Sequence, residues 1–120
     1  MQAFIDLTKE LRHQILENCF DRYENGYKFN RKIYDEFYQV KNESLNQFEK
    51  IEKWEEDANA IVHQIPLFPN QIKNTKDNLE IMILHSYFHD VRKKRFMELY
   101  QSVMYNLDLV LNDVSITDHS

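Results

Sequence analysis

Glycine and proline are almost absent from this chain, and their scarcity constrains the fold more than any other feature. The 120 residues include one glycine, Gly26, and two prolines, Pro66 and Pro69. A many-stranded sheet needs frequent tight turns, and these two residue types supply much of the turn chemistry. Because 42% of the residues are hydrophobic, the chain has enough apolar side chains to form one core. The composition therefore predicts a single all-α domain.

The longest uninterrupted periodic stretch lies between Asp77 and Leu111, where apolar residues return every three or four positions. This spacing is typical of one helical face, so we predict a last helix over residues 75–113. A first helix is predicted over 3–24, ended by a positive φ at Gly26. The last helix would be about 58 Å long and the first about 33 Å. The last helix must therefore bend, extend beyond the first helix or pair with an equally long neighbour.

The middle of the chain, residues 28–65, is either one helix or two. A four-three spacing of mostly apolar residues continues from Ile33 to Ile65 and favours one helix. It places Ser44 and Gln47 on the buried seam, however, and these two residues also form a capping box, which favours a helix start. We therefore expect a break at 41–43 and a third helix over 45–64.

The predicted fold is an antiparallel up-and-down helical bundle with four helices, and three long helices are the alternative. Residues 1–114 form the domain and 115–120 a polar tail. Shared helical phase predicts the core residues Leu11, Ile15, Phe37, Ile51, Trp54, Ile61, Leu84, Phe88, Leu99, Val103 and Leu107.

Charge and cysteine content argue against several classes of partner. The formal charge is −5, whereas general binders of nucleic acid or anionic membranes are normally basic. No run approaches the roughly 20 apolar residues of a membrane helix. The lone Cys19 fits a reducing compartment, and charged residues interrupt the first 16 positions where a signal peptide would be apolar. We expect a cytoplasmic protein without nucleic-acid or membrane partners.

Several short patterns stand out along the chain: Asp77-Asn78-Leu79-Glu80, Ser86-Tyr87-x-His89, Lys93-Lys94-Arg95-Phe96 and Ser102-Val103-x-Tyr105-x-Leu107, with Asp21-Arg22-Tyr23-x-x-Gly26 and Trp54 nearer the N-terminus. Together they resemble the YppE-like family of small uncharacterised helical proteins from low-GC Gram-positive bacteria. The resemblance implies an up-and-down helical bundle in the cytoplasm. It implies no activity, catalytic residue or cofactor.

Two histidines and a basic cluster are candidate ligand sites. His85 and His89 are four residues apart, which on a helix lets two imidazoles share a metal ion. The alternative is a pair of partly exposed histidines without metal. Lys93, Lys94 and Arg95 provide a candidate surface for an acidic ligand, although successive helical residues fan around the axis and favour a solvated, ion-paired face instead.

Aromatic residues crowd the first connection. Seven rings fall within nineteen residues, Phe20, Tyr23, Tyr27, Phe29, Tyr34, Phe37 and Tyr38. Tyrosines often span core and surface, so most of these rings could belong to the core. If Tyr27, Tyr34 or Tyr38 is exposed, however, that surface is the candidate partner site.

No phosphate loop, catalytic triad or cysteine cluster is present in the sequence. The leading hypothesis is therefore a non-enzymatic interaction or accessory protein that uses no cofactor and binds another protein or itself. The alternatives are a metal-binding bundle and a binder of an acidic ligand.

Overall fold

The computed structural model describes residues 1–117, and every regular element within them is helical. The elements are α1 (Gln2–Glu10), a π-helical turn (Leu11–Ile15), α2 (Leu16–Asn25), α3 (Tyr34–Ala60), a 3₁₀ turn (Val62–Gln64), α4 (Pro69–Phe88), α5 (Lys93–Leu111) and α6 (Val114–Thr117). The backbone stays helical through the π turn, so α1, this turn and α2 form one N-terminal rod. The expected antiparallel four-helix bundle is confirmed.

The N-terminal rod changes neighbours along its length. Its first half, α1, packs against α3 and α5, whereas its second half, α2, packs mainly against α4. The sequential pairs α3–α4 and α4–α5 supply the other large interfaces. The first half of α3 consequently has α4 as its main neighbour, which leaves one of its sides open.

Trp54 lies at the centre of the contact between α1 and α3. Its side chain is 0% exposed and its ring stacks on that of Phe4 at a centroid distance of 5.9 Å. The indole Nε1 donates to Thr8 Oγ1 over 2.9 Å, and this hydroxyl donates to the carbonyl of Phe4 over 2.7 Å. The one polar atom of the indole is therefore satisfied inside the core, as a buried tryptophan requires.

The predicted break at 41–43 is wrong, because α3 continues from Tyr34 to Ala60. Ser44 is buried on the seam, and its hydroxyl donates to the carbonyl of Val40, one turn earlier, over 2.7 Å. A serine satisfied in this way interrupts neither the helix nor the core. The four-three spacing, and not the capping box, was the informative pattern.

The predicted last helix over 75–113 is also wrong, since it is two antiparallel helices. His89 ends α4 in the left-handed conformation with φ of 53°, and α5 begins at Lys93. The start of α4 lies at Pro69 rather than at 75, because proline suits the first helical turn and Gln71 Oε1 accepts a hydrogen bond from the backbone of Phe68. Four helices result, with different boundaries from those expected.

Eight of the eleven predicted core residues are buried. Ile61 and Leu84 are partly buried and pack against the core. Phe37 is 46% exposed, so its assignment to the core is wrong. It lies in the first turn of α3, where helical phase points it towards the bundle but α4 alone offers a contact, a stacked ring at Phe88.

The short α6 adds Ile116 to the core. Residues 118–120 of the expected tail lie outside the described residues. Within residues 1–117, no helix combines the length and apolarity that crossing a membrane demands.

Gly26 ends α2 without the positive φ expected from the sequence, since its φ is −81°. Its backbone instead passes close to the last helical turn, and its N–H donates to the Arg22 carbonyl over 2.8 Å. A Cβ at this position would lie 2.5 Å from the same oxygen. Glycine is required here because the backbone lies too close to the Arg22 carbonyl oxygen for a Cβ, and not because the backbone adopts a positive φ.

Gly26→Ala should therefore lower the free energy of unfolding by about 1–3 kcal/mol, because the new methyl displaces the end of α2. Urea denaturation of wild type and variant measures this difference. Asn46→Ala is the control, since it places an alanine at an exposed site inside α3 and should not lower the free energy of unfolding. An unchanged midpoint for Gly26→Ala would contradict the steric account.

Trp54→Ala should lower the free energy of unfolding by about 3–5 kcal/mol, through the cavity it leaves and the loss of the hydrogen bond that Thr8 Oγ1 accepts. Tyr105→Ala, which truncates an exposed ring, should change it by less than about 0.5 kcal/mol. Both values come from urea titrations followed by circular dichroism. Equal changes in the free energy of unfolding of the two variants would contradict the central place of Trp54 in the core.

Candidate functional site

The most unusual surface of the molecule is the outer face of α3, which we define as Tyr34, Phe37, Tyr38 and Leu45. Tyr34 is 75% exposed and Tyr38 is 51% exposed. Their rings lie parallel to one another at a centroid distance of 6.0 Å. Tyr34, Tyr38 and Leu45 recur at helical spacing, so α3 carries a second apolar stripe beside the one that enters the core, and Phe37 lies at the border between the two.

This stripe is exposed because the neighbouring helices do not reach it. The buried residues of α3 begin at Val40, and its first turn contributes none. Contacts with α1 lie further along the helix, at Lys50 with Glu10 and at Trp54 with Thr8. The interpretation that Tyr34 and Tyr38 belong to the core is therefore wrong.

Tyr27 is also exposed, at 67%, but it is held in place. Its ring packs edge-on against Phe29 at 4.7 Å, and its hydroxyl donates to Glu36 Oε1 over 3.1 Å. This hydrogen bond is the main reason that the pKa of Tyr27 is raised. The backbone N–H of Phe29 donates to the carbonyl of Tyr87, which fastens the connection between α2 and α3 to the end of α4.

A groove runs beside the outer face of α3, between α3 and α4. Its volume is about 390 Å³, and its lining consists of Arg31, Phe37, Val40, Lys41, Ser44, Leu45, Phe48, Leu84 and Phe88. Ser44 is the only uncharged polar residue of this lining, and its hydroxyl is already bonded to its own helix. The α3–α4 groove is thus an apolar seat with two cations, Arg31 and Lys41.

A second hollow of about 620 Å³ adjoins this groove and shares Arg31 and Phe88 with it. We call it the basic hollow, because its lining includes Lys28 and Lys32 as well as Arg31. The Arg31 guanidinium lies 4.5 Å from the centre of the Phe88 ring and pairs with Asp90. Lys28, Lys32 and Lys41 make no ion pair with any residue from 1 to 117.

His85 and His89 do not form a shared site. Nδ1 of His85 lies 2.7 Å from Asp90 Oδ1, and Arg31 pairs with the same carboxylate. Although partial burial raises the pKa of Asp90, its contacts with His85 and Arg31 lower it below the usual value. His89 follows the last helical residue in the left-handed conformation, so the four-residue helical spacing does not apply to it. Its ring lies against Tyr23 at 5.7 Å. Nothing in the part of the chain that the structure describes groups three potential metal ligands.

The cluster of Lys93, Lys94 and Arg95 is exposed at the start of α5. Lys93 pairs with Glu24 over 3.0 Å and Arg95 with Glu98 over 3.6 Å. Lys94 has no ion-pair partner among the described residues. The cluster therefore resembles an ordinary solvated face more than a binding site for an acidic ligand.

Sequence reasoning identified Tyr27, Tyr34 and Tyr38 but not the groove beside them. Lys41 and Leu45 were not singled out, because neither belongs to a motif. The available signal was the double periodicity of α3, in which Tyr34, Tyr38 and Leu45 repeat out of phase with Phe37, Val40, Ser44 and Ile51. The opposite wall, Leu84 and Phe88, depends on helix packing and has no local signature.

Known proteins with similar sequences and structures share this architecture. A family model described as a bacterial domain of unknown function (DUF1798) matches residues 8–114. The uncharacterized protein YppE of Bacillus subtilis (strain 168) is 30% identical over 120 residues, which cover 98% of this chain and 96% of that protein.

Two solved structures of Bacillus subtilis YppE superpose on the bundle. The crystal structure has a TM-score of 0.80 at 25% identity, covering 99% of this chain and 98% of the other. The solution NMR structure has a TM-score of 0.77 at 29% identity, covering 99% and 96%. Because the family model spans nearly the whole helical bundle and the relative matches from end to end, the chain belongs to the DUF1798 family.

Proposed function

We propose that this protein is a non-enzymatic interaction or accessory protein that binds another protein through the outer face of α3. The observation that carries the proposal is the exposure of Tyr34, Phe37, Tyr38 and Leu45 on one side of one helix. Contiguous apolar surfaces of this kind on a folded domain usually mark interaction sites. Tyrosine and phenylalanine also provide wide contact area with few rotatable bonds, so ordering them on association costs little entropy.

The energetics of the bundle support the same proposal. The core is closed without these side chains, since α3 contributes Val40, Ile51 and Trp54 to it. Exposed rings gain little from folding, because the hydrophobic contribution scales with the area removed from water. A partner that covers them would gain that contribution on binding instead.

The reactive groups of the described chain give no comparable support to catalysis. Cys19 is buried between α2 and α4, and burial raises the pKa of its thiol to about 11, against the opposing effects of Arg22 and Ser86. A nucleophilic cysteine needs the reverse shift. We place the interaction in the cytoplasm, because a single cysteine without an intrachain partner suits a reducing compartment.

Removing Tyr34 and Tyr38 together should weaken partner binding by about tenfold or more and leave stability nearly unchanged. A partner is first captured from an extract of the source cells, then purified, and its dissociation constant is measured by titration calorimetry against wild type and Tyr34→Ala/Tyr38→Ala. The thermal midpoint of the double variant should stay within about 2 °C of wild type, because the two rings contribute little buried area.

The matched control is Phe68→Ala/Tyr105→Ala, which removes two similarly exposed rings. Phe68 precedes α4, whose other end contacts the outer face of α3, so these rings lie towards the opposite end of the bundle. Wild-type affinity in the control and lost affinity in the Tyr34/Tyr38 variant are expected. Equal affinities in both variants, or loss of affinity together with thermal stability, would contradict the proposed function.

The Cys19 thiol should react with a disulfide reagent at pH 8 at least about 100-fold more slowly in the folded protein than in 8 M urea, since its thiolate is rarer and its atom is buried. Its raised pKa also contributes stability that is fully present below the unfolded value near 9.0 and lost as the pH rises through about 11. Cys19→Ala should flatten this alkaline loss. Fast labelling of the folded protein would contradict the structural role.

A further inference from the structure

We infer that the α3–α4 groove receives an amphipathic helix of a different protein, with acidic residues next to its apolar anchors. This inference rests on the proposed function and names the kind of partner. The groove lies between two antiparallel helices and is lined by Phe37, Phe48, Leu84 and Phe88, and its one uncharged polar side chain, Ser44, is already hydrogen-bonded within α3. Such a seat accepts apolar side chains presented at helical spacing.

The charge of the groove specifies the flank of that helix. Arg31 and Lys41 are its only charged lining residues, and Lys28 and Lys32 line the basic hollow beside it. This end is locally basic in a chain whose formal charge is −5. A carboxylate set beside an apolar anchor would therefore meet cations, and such complementarity selects partners and speeds association.

Among these cations only Arg31 is paired with an acid from residues 1–117. Asp90 is held by Arg31 and His85, and Glu36 accepts hydrogen bonds from Tyr27 and from the backbone of Asn30. Asp35 and Glu43 lie on α3 outside the lining of both hollows. Lys41 in particular remains available to an incoming carboxylate.

One helical turn beyond the α3–α4 groove, the charged side chains are acidic instead of basic. Glu52 follows Phe48 by four residues on α3, and Glu80 precedes Leu84 by four residues on α4. Burial raises the pKa of Glu80, the ion pair with Lys76 opposes this shift, and the nearby carboxylate of Glu52 adds to it. The lining of the groove is therefore basic near Phe37, and carboxylates lie one turn beyond its other end.

A second copy of the chain fits this pattern poorly. An antiparallel pair that brings Lys41 of one copy to Glu52 of the other sets Phe37 opposite Glu56 and Tyr38 opposite Glu55, so rings would face carboxylates. A pair centred on Phe37 and Tyr38 sets Lys41 opposite Tyr34, where it meets no acid. Neither of these two pairings meets apolar and charge complementarity together, whereas a different helix with acids beside its anchors satisfies both.

The test uses a displayed library of 18-residue amphipathic helical peptides with varied surface residues, selected on the purified protein. Enriched peptides should carry aspartate or glutamate within one turn of their apolar anchors. Fluorescence anisotropy of the enriched sequences should show about tenfold weaker binding to Leu45→Glu and to Lys41→Glu. Replacing the peptide's acidic residue by lysine should restore binding to Lys41→Glu.

Tyr105→Glu is the matched control, since it adds the same charge at an exposed site outside the groove and should bind like wild type. Enriched peptides with neutral or basic flanks, or binding indifferent to Lys41→Glu, would overturn the charge assignment. Binding indifferent to Leu45→Glu, or no enrichment, would overturn the groove as a helix seat.

Sedimentation of the protein alone tests the second copy. A dimer that Leu45→Glu dissociates would show that the groove is covered by another copy and would also overturn the inference. None of these outcomes decides the effect of Tyr34→Ala/Tyr38→Ala on a natural partner, so failure of this inference and failure of the proposed function are distinguishable.

Discussion

The unequal lengths of the helices determine most of what is distinctive in this bundle. The 27 residues of α3 and the 20 residues of α4 correspond to helices of about 40 Å and 30 Å. The N-terminal rod cannot compensate for the difference, because it leaves α3 halfway and continues against α4. The start of α3 therefore has α4 as its main neighbour, and its outer apolar side chains remain in water.

The π-helical turn contributes to the change of neighbours within the N-terminal rod. A π turn adds a residue to one helical cycle and rotates everything that follows it. Arg12, inside the turn, bonds both to Glu17, five residues ahead, and to Asp108 of α5, a spacing that a regular helix does not bring together. Tyr100 of α5 also donates to Glu17 over 2.6 Å. The turn is thus fixed by polar contacts to α5 while the rod proceeds towards α4.

The sequence predicted the fold class because apolar spacing reports directly which face of a helix enters a core. The sequence was a weaker guide to the ends of the helices, because single side chains determine where a helix begins and ends. Ser44 looked like a cap, although a hydroxyl bonded to the carbonyl one turn earlier is equally stable inside a helix. His89 gave no sign of ending α4, because the left-handed conformation usually falls to glycine or asparagine. The length of the supposed last helix was the better clue, since only an unbroken helix over residues 28–65 could have matched it and α3 has 27 residues.

The candidate site was only partly predictable for a related reason. Ring crowding around Tyr27 to Tyr38 is visible in the sequence, whereas exposure depends on whether a neighbouring helix reaches those rings. Phe37 shows the difference, because its phase points inwards and its ring does stack on Phe88, yet nearly half of it stays exposed. The groove itself combines residues from two helices whose relative position follows from the break at His89, which the sequence did not reveal.

The polarity of the α3–α4 groove limits how a helix lies in it. Lys41 and Glu52 are eleven residues apart on α3, which is about 16 Å along the axis, or three helical turns of a partner. The positive end of a helix dipole is its N-terminus, so a bound helix is most stable with its N-terminus near Glu52 and Glu80 and its C-terminus near Arg31 and Lys41. The apolar residues between these ends supply affinity by dehydration, whereas the partly solvated charges at the rim set direction and association rate. A helix inserted in the reverse direction would keep its apolar contacts and lose this electrostatic preference, so the charges discriminate orientation where the rings do not.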